Sequence, residues 1–226
     1  MRFVEYPSRE AMAAEVADRV AGDLRAALSD HGSASLAVPG GNTPGPVFDL
    51  LSETELDWKG ITVLPTDERW VPETSEFSNS RMIRQRLLVG RASEAAFVPV
   101  YSDGGHIRDR IEFLDGETRN HLPLSVLVIG MGTDMHTASL FPGSEGLERA
   151  MAEVAPAYLP IRQHGAGSVA RRVSLTRHVL SGAIKKHLLI VGRGKLDALE
   201  RAKEAREPIL APVKAVLPDA TVHWAA

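Results

Sequence analysis

The 226-residue chain carries a formal net charge of −3, has 24% charged residues and contains no cysteine. Disulfides, thiolate catalysis and Cys-based zinc or iron–sulfur centres are therefore excluded, and no broad basic surface offers itself to nucleic acid. The opening stretch MRFVEYPSREAMAAEV lacks an apolar signal segment and no apolar run approaches membrane-spanning length, so a cytoplasmic protein with no membrane partner is expected.

In chain order, MRFVEY reads as a strand. Ser8 then caps a helix in which Met12, Val16, Val20, Leu24 and Leu28 recur every four positions. SLAVPGG (35–41) is an apolar strand running into a glycine turn, and a helix is predicted over 44–56. ITVLPTDE (61–68), AFVPVY (96–101) and SVLVIGMG (125–132) are further strands, separated by predicted helices over 78–91 and 106–121. The region 151–171 carries few signals, and IRQHGAGSVARR, which begins in it, reads as a mobile loop. RVSLT (172–176) and HLLIVGRG (187–194) are strands, the second leading into a helix over 193–206. Pro208, Pro212 and Pro218 break up the C-terminal part, and TVHWAA closes the chain as a strand.

Several of these strands are apolar without alternation, the pattern of parallel strands buried on both faces. Their alternation with helices predicts a three-layer α/β fold with a mainly parallel sheet. No linker, repeat or low-complexity segment interrupts residues 1–226, so a single domain is expected. In such sheets ligands bind beyond the carboxyl ends of the strands, and four of those ends carry polar chemistry.

At the first, PGGNTPG (39–45), Gly40 and Gly41 free the backbone to turn, Asn42 and Thr43 add polar side chains, and Pro44 suits a helix start. A glycine turn before a helix is a ready anion site, although this one is no Walker loop. At the second, PTDERWVP (65–72), Asp67, Glu68 and Arg69 follow a run of aliphatics. Asp67 and Arg69 either pair with each other or face a ligand together.

The third is GMGTDMHTASLFPG (130–143). Gly130 and Gly132 begin a dinucleotide fingerprint, but Met135 occupies its last glycine position and the match fails. Asp134 and His136 are too few for a metal site. Two readings stay open: a histidine capping its own turn, or a histidine base steadied by a neighbouring carboxylate. The fourth end is cationic, with Arg171 and Arg172 at RVSLT and Lys195 after LLIVGRG, side chains suited to phosphate or to ordinary surface charge. G-x-S-x-G is absent, so attack by an activated water fits better than covalent catalysis.

Taken together, PGGNTP, TDERWVP…SN, GMGTDMHTASLFPG, RVSLT and GRGK resemble, in order and spacing, the 6-phosphogluconolactonases, which share a superfamily with the glucosamine-6-phosphate deaminases/isomerases. The resemblance runs from the first helix to about residue 205. It implies a Rossmann-like α/β fold of the deaminase/isomerase type and hydrolysis of a small-molecule sugar-phosphate lactone, with no metal and no organic cofactor. It implies His136 as general base with Asp134 beside it, and Asp67 and Arg69 at the second polar strand end. Gly40, Gly41, Asn42 and Thr43 match its ligand-binding turn. Arg172 and Lys195 match its sugar-phosphate positions, with Arg171 as the alternative if the register shifts by one. A monomer or homodimer is expected.

The chain departs from that pattern at two places. The family usually has Gly where Met135 stands and more often Ser than Asn at position 42. If the family glycine is there for positive φ, Met135 is strained or the turn differs; alternatively the glycine merely leaves room that Met135 fills, and an active enzyme with a slightly reshaped loop is expected. The nearest rival is an amino-sugar-phosphate deaminase/isomerase, whose third motif typically continues into NEPG with a catalytic glutamate. Here the segment is SLFPG, with no acid. A non-catalytic sugar-phosphate sensor is the rival of another class.

Overall fold

The computed structural model describes residues 1–104 and 106–226. Its elements, in chain order, are β1 (Arg2–Tyr6), α1 (Arg9–His31), β2 (Ala34–Val38), α2 (Gly45–Ser52), β3 (Ile61–Pro65), β4 (Asp67–Arg69), α3 (Asn79–Arg86), β5 (Ala96–Phe97) and α4 (Ile107–Arg119). They continue with β6 (Val126–Gly130), α5 (Leu147–Ala150), β7 (Tyr158–Arg162), β8 (Arg171–Leu175), α6 (Arg177–Gly182), β9 (Lys185–Val191), α7 (Arg193–Glu204) and β10 (Thr221–Ala225).

The seven-stranded sheet runs β1-β10-β9-β6-β2-β3-β5, and every pairing in it is parallel. Helix α1 begins where expected, because Ser8 Oγ accepts a hydrogen bond from the Ala11 amide at 3.1 Å and satisfies an orphan donor. Met12, Val16, Val20 and Leu24 are buried against one face of the sheet with Leu36, Val38, Val63 and Val128. Each fully buried aliphatic of this set contributes roughly 1.5–3 kcal/mol of burial free energy. The intervening residues Ala37, Leu64, Leu127 and Ile129 enter a second core on the opposite face. That two-sided burial is why these strands read as unbroken apolar runs.

The structure corrects three expectations. RVSLT does not join the parallel sheet; β8 is the middle strand of a separate antiparallel sheet, β4-β8-β7. The region 151–171 is not simply a loop. It contains β7, whose Tyr158, Leu159 and Ile161 are buried while Pro160 interrupts the apolar run. Proline is tolerated there because β7 is an edge strand. The stretch 61–68 is two strands rather than one. Thr66 separates them, donating its amide to Val38 O of the large sheet and accepting from Leu175 N of the small one, both at 2.8 Å.

The predicted helices stand, but shorter. Those expected over 44–56 and 78–91 end at Ser52 and Arg86, and the strand expected over 96–101 keeps only Ala96–Phe97.

From β2 the chain builds outward to β3 and β5, then restarts at β6 on the other side of β2 and builds outward through β9 and β10. The strand order therefore reverses between β2 and β6, which opens a crevice at their carboxyl ends.

Candidate active site

That crevice is occupied by a cleft of about 230 Å3. It is lined from the β2 end by Gly40, Gly41, Asn42 and Thr43, and from the β6 end by Gly130, Gly132 and His136. The small sheet and its connection contribute Asp67, Arg69, Asn79 and Arg172, and α7 contributes Lys195. Nine of the ten predicted site residues thus share one surface, and the tenth, Asp134, is bonded to His136.

The histidine is held at two points. Its Nδ1 lies 2.5 Å from Asp134 Oδ1, and the same oxygen accepts from the His136 amide at 3.3 Å. With Nδ1–H donated to the carboxylate, the lone pair falls on Nε2, the tautomer that a base needs. The loop behind it is tied down by Thr137 Oγ1, which donates to Gly130 O at 2.8 Å, and by a Gly132 N to His136 O bond at 3.0 Å. Met135, at the summit, has φ of +68°, and Ala138 has φ of +48°. The turn therefore adopts the left-handed conformation that favours glycine, with Met135 packed on the core beneath.

On the other wall, Arg69 and Arg172 are direct partners across the β4–β8 ladder. Like charges placed directly opposite repel, so this pair calls for an anion between or above them. Burial pulls Arg172 below the ordinary guanidinium pKa, opposed by Asp67 and reinforced by Arg69. Burial likewise pulls the Lys195 ammonium down. Desolvated cations facing a cleft gain most from a bound anion, which replaces the lost hydration.

Register separates the two arginines at 171–172. Arg172 is buried and lines the cleft, whereas Arg171 is exposed and pairs with Arg162 at the far end of the small sheet. Asp67 and Arg69 do not pair with each other. Asp67 accepts from Ser139 Oγ at 2.5 Å and Thr66 Oγ1 at 3.1 Å, and Arg69 Nη1 donates to Asn79 Oδ1 at 2.8 Å and Phe77 O at 2.9 Å. Ser139, fully buried, therefore spends its hydroxyl proton on Asp67.

Four contributors stand outside the predicted site residues. Asn79 bridges the walls: its Nδ2 donates to Asp67 O at 2.8 Å while its Oδ1 holds Arg69. A Cβ at Gly40 would lie 1.8 Å from that Oδ1, so the Gly40 position is glycine for Asn79. Glu68, fully buried, accepts from the amides of Arg69, Asn79 and Ser80 at 2.7–2.8 Å and so anchors α3 to β4. Burial nevertheless raises its carboxyl above the usual carboxylate range. Gly132 gives way to the histidine, and Phe141 packs on it. The only sequence signal for Asn79 was its place in the FSNS segment after DERWVP.

A cationic cleft at the switch point of a parallel sheet defines a Rossmann-like α/β protein built to hold an anionic ligand. More narrowly, the chain belongs to the family of glucosamine-6-phosphate isomerases/6-phosphogluconolactonase, whose model matches residues 7–224. It is 40% identical over 216 residues to a 6-phosphogluconolactonase of Pseudomonas aeruginosa, covering 92% of this chain and 88% of that one. It is 39% identical over 231 residues to one of Rhizobium meliloti, covering 100% and 98% respectively. The crystal structure of a 6-phosphogluconolactonase from Shewanella baltica superposes with a TM-score of 0.94 at 31% identity, covering 100% of this chain and 98% of that one.

Proposed function

We propose that this chain hydrolyses 6-phospho-D-glucono-1,5-lactone to 6-phosphogluconate, the second step of the oxidative pentose phosphate pathway. The observation that carries the reading is one cleft lined both by a carboxylate-bound histidine and by three cations. The relatives named 6-phosphogluconolactonase support the same reaction.

In this reading the phosphate docks on the amides of 41–43, Arg172 and Lys195, which brings C1 of the lactone to His136. His136 Nε2 takes a proton from water as the water oxygen bonds to C1. Arg69 and the loop amides offset the negative charge on the tetrahedral oxygen. The bond from C1 to the ring oxygen then breaks, and His136 returns its proton to that oxygen. The product acid ionises at neutral pH, so each turnover releases one proton. Asp134 steadies the imidazolium formed midway. We assign residues 1–226 to one catalytic unit, acting in the cytoplasm as a monomer or homodimer.

The test is proton release from freshly generated lactone, corrected for spontaneous opening. A general base is worth about 10²–10⁴ in rate, so His136→Asn is expected to lose at least about a hundredfold in kcat. Near-normal turnover by that variant would remove His136 from the role. Ammonia release from glucosamine-6-phosphate would overturn the whole reading, and so would binding of 6-phosphogluconate without lactone turnover.

A further inference from the structure

We propose that Phe141 is a positioning residue that serves the general base and the phosphate-binding arginine with one ring. The inference rests on the lactonase reading. The Phe141 ring centroid lies 4.2 Å from that of His136, with the two planes tilted by 38°. The Arg172 guanidinium carbon lies 5.0 Å from the same centroid. Phe141 is only 6% exposed, so it stands behind two side chains that line the cleft.

Its place is fixed locally. Leu140 N donates to Thr137 O at 2.9 Å, and the Phe141 carbonyl accepts from Ser144 N at 3.1 Å and Ser144 Oγ at 2.8 Å. These bonds hold the backbone that carries the ring, and the ring itself is buried.

The chemistry differs for the two neighbours. Arg172 is a cation at all times, and its buried Nε has no hydrogen-bond partner among the described residues. The negative face of the ring supplies part of the stabilisation that a missing acceptor would have given. His136 is a cation only after it has taken the proton of the attacking water. Its attraction to the ring is therefore stronger in the transition state than in the ground state, and only such a difference raises kcat. One ring thus spaces base and phosphate anchor at a fixed separation, which sets where C1 of the lactone sits.

The experiment replaces Phe141 with pentafluorophenylalanine, which nearly preserves the ring's shape but reverses the charge of its face, and separately makes Phe141→Leu. In each, kcat and KM are measured on the lactone, and the Kd of inorganic phosphate is measured by calorimetry. We expect the fluorinated ring to lower kcat and to weaken phosphate binding, each by roughly three- to tenfold. Phe141→Leu is expected to move both in the same direction. A filler role alone would leave the fluorinated enzyme unchanged, and that result would overturn the inference. So would a change in only one of the two readouts, because the proposal is that both neighbours depend on the ring. Should Phe141→Leu fail to fold, the fluorinated enzyme still decides. An unmodified protein with no lactone turnover would sink the lactonase reading itself, whereas an active enzyme indifferent to the ring's charge would sink this inference alone.

Discussion

Gly132 stands so close to His136 that a Cβ added to it would lie 2.2 Å from the imidazole Nδ1 and 2.4 Å from Asp134 Oδ1. The glycine is thus the space in which the Asp134–His136 pair is assembled. Those two side chains are half-exposed and able to swing away, so Gly132→Ala is expected to fold but with the imidazole displaced. Misplacing a catalytic group by about 1 Å costs on the order of a hundredfold in rate. The expected outcome is a kcat loss of at least about tenfold with a Tm within a few degrees of the parent. Unchanged kinetics in a folded Gly132→Ala protein would mean that the pair does not depend on that space.

Arg172 and Arg171 are neighbours in sequence with opposite environments, which makes them a matched control. Arg172 faces the cleft beside Arg69, and Arg171 faces solvent. A charge-assisted contact is worth about 1.5–3 kcal/mol, so Arg172→Ala is expected to raise KM by about ten- to a hundredfold. Arg171→Ala is expected to leave KM within about twofold. Steady-state kinetics on the two variants side by side checks this, and equal effects would dissolve the register argument.

Asn79 holds Arg69 and the Asp67 carbonyl with one amide group. Asn79→Ala leaves that buried carbonyl without its donor, which costs about 1–3 kcal/mol of stability. It also frees Arg69 to turn from the cleft, and we expect kcat/KM to fall by about tenfold. Chemical denaturation and kinetics on one preparation measure both effects. Loss of stability with full activity would show that Arg69 needs no such tether.

The strand ends were legible in sequence because glycine turns and polar residues after apolar runs have a direct physical reading. Only the family resemblance gave His136, Arg172 and Lys195 their roles, but His136 and Lys195 could be singled out from the strand ends and Arg172 by its charge. Asn79, Gly132 and Phe141 could not, because each acts through a neighbour distant in sequence or through space it leaves empty. Gly132 even read as a fragment of a failed nucleotide fingerprint. Strand β7 was hidden by Pro160, and the small antiparallel sheet was hidden because β4 is only three residues long. Tertiary pairing, not periodicity, decides such short strands.

Met135 is the residue at which sequence reasoning posed a choice between strain, a different turn and a side chain that merely fills room left by a glycine. The structure gives the first answer: φ is +68°, the carbonyl accepts from Val213 N at 3.1 Å, and the side chain packs on the core. A non-glycine residue there costs roughly 1–2 kcal/mol, which the packing offsets. Met135→Gly relieves the strain and loses the packing, so its stability is expected to lie within about 1 kcal/mol of the parent and its kcat within about threefold. Met135→Val, β-branched and disfavoured at positive φ, is expected to lose more than about 1 kcal/mol. A large gain in activity from Met135→Gly would show instead that the methionine distorts the loop.

Away from the cleft, Tyr6, His223, His187 and Asp23 form one hydrogen-bonded row from β1 through β10 and β9 to α1. The contacts are 2.8 Å from Tyr6 Oη to His223 Nδ1, 3.1 Å from His223 Nε2 to His187 Nδ1, and 2.9 Å from His187 Nε2 to Asp23 Oδ2. Because the Asp23 carboxylate can only accept, His187 Nε2 donates to it, and a neutral His223 presents one donor and one acceptor to Tyr6 and His187. Burial, reinforced by the facing His187 and by Arg19 and Arg2, pulls His223 from 6.5 down to about 3. Between those two values the unfolded chain binds a proton that the folded chain refuses. Stability from this group is therefore complete above about pH 6.5 and falls on acidification, by up to about 1.4 kcal/mol per pH unit until about pH 3. Glutamine at position 223 can accept from Tyr6 and donate to His187 without titrating. Unfolding free energies from urea titrations at neutral pH and at about pH 4.5 are thus expected to differ less in His223→Gln than in the parent, by on the order of 1–2 kcal/mol. Identical acid sensitivity in the two proteins would mean that His223 carries no part of it.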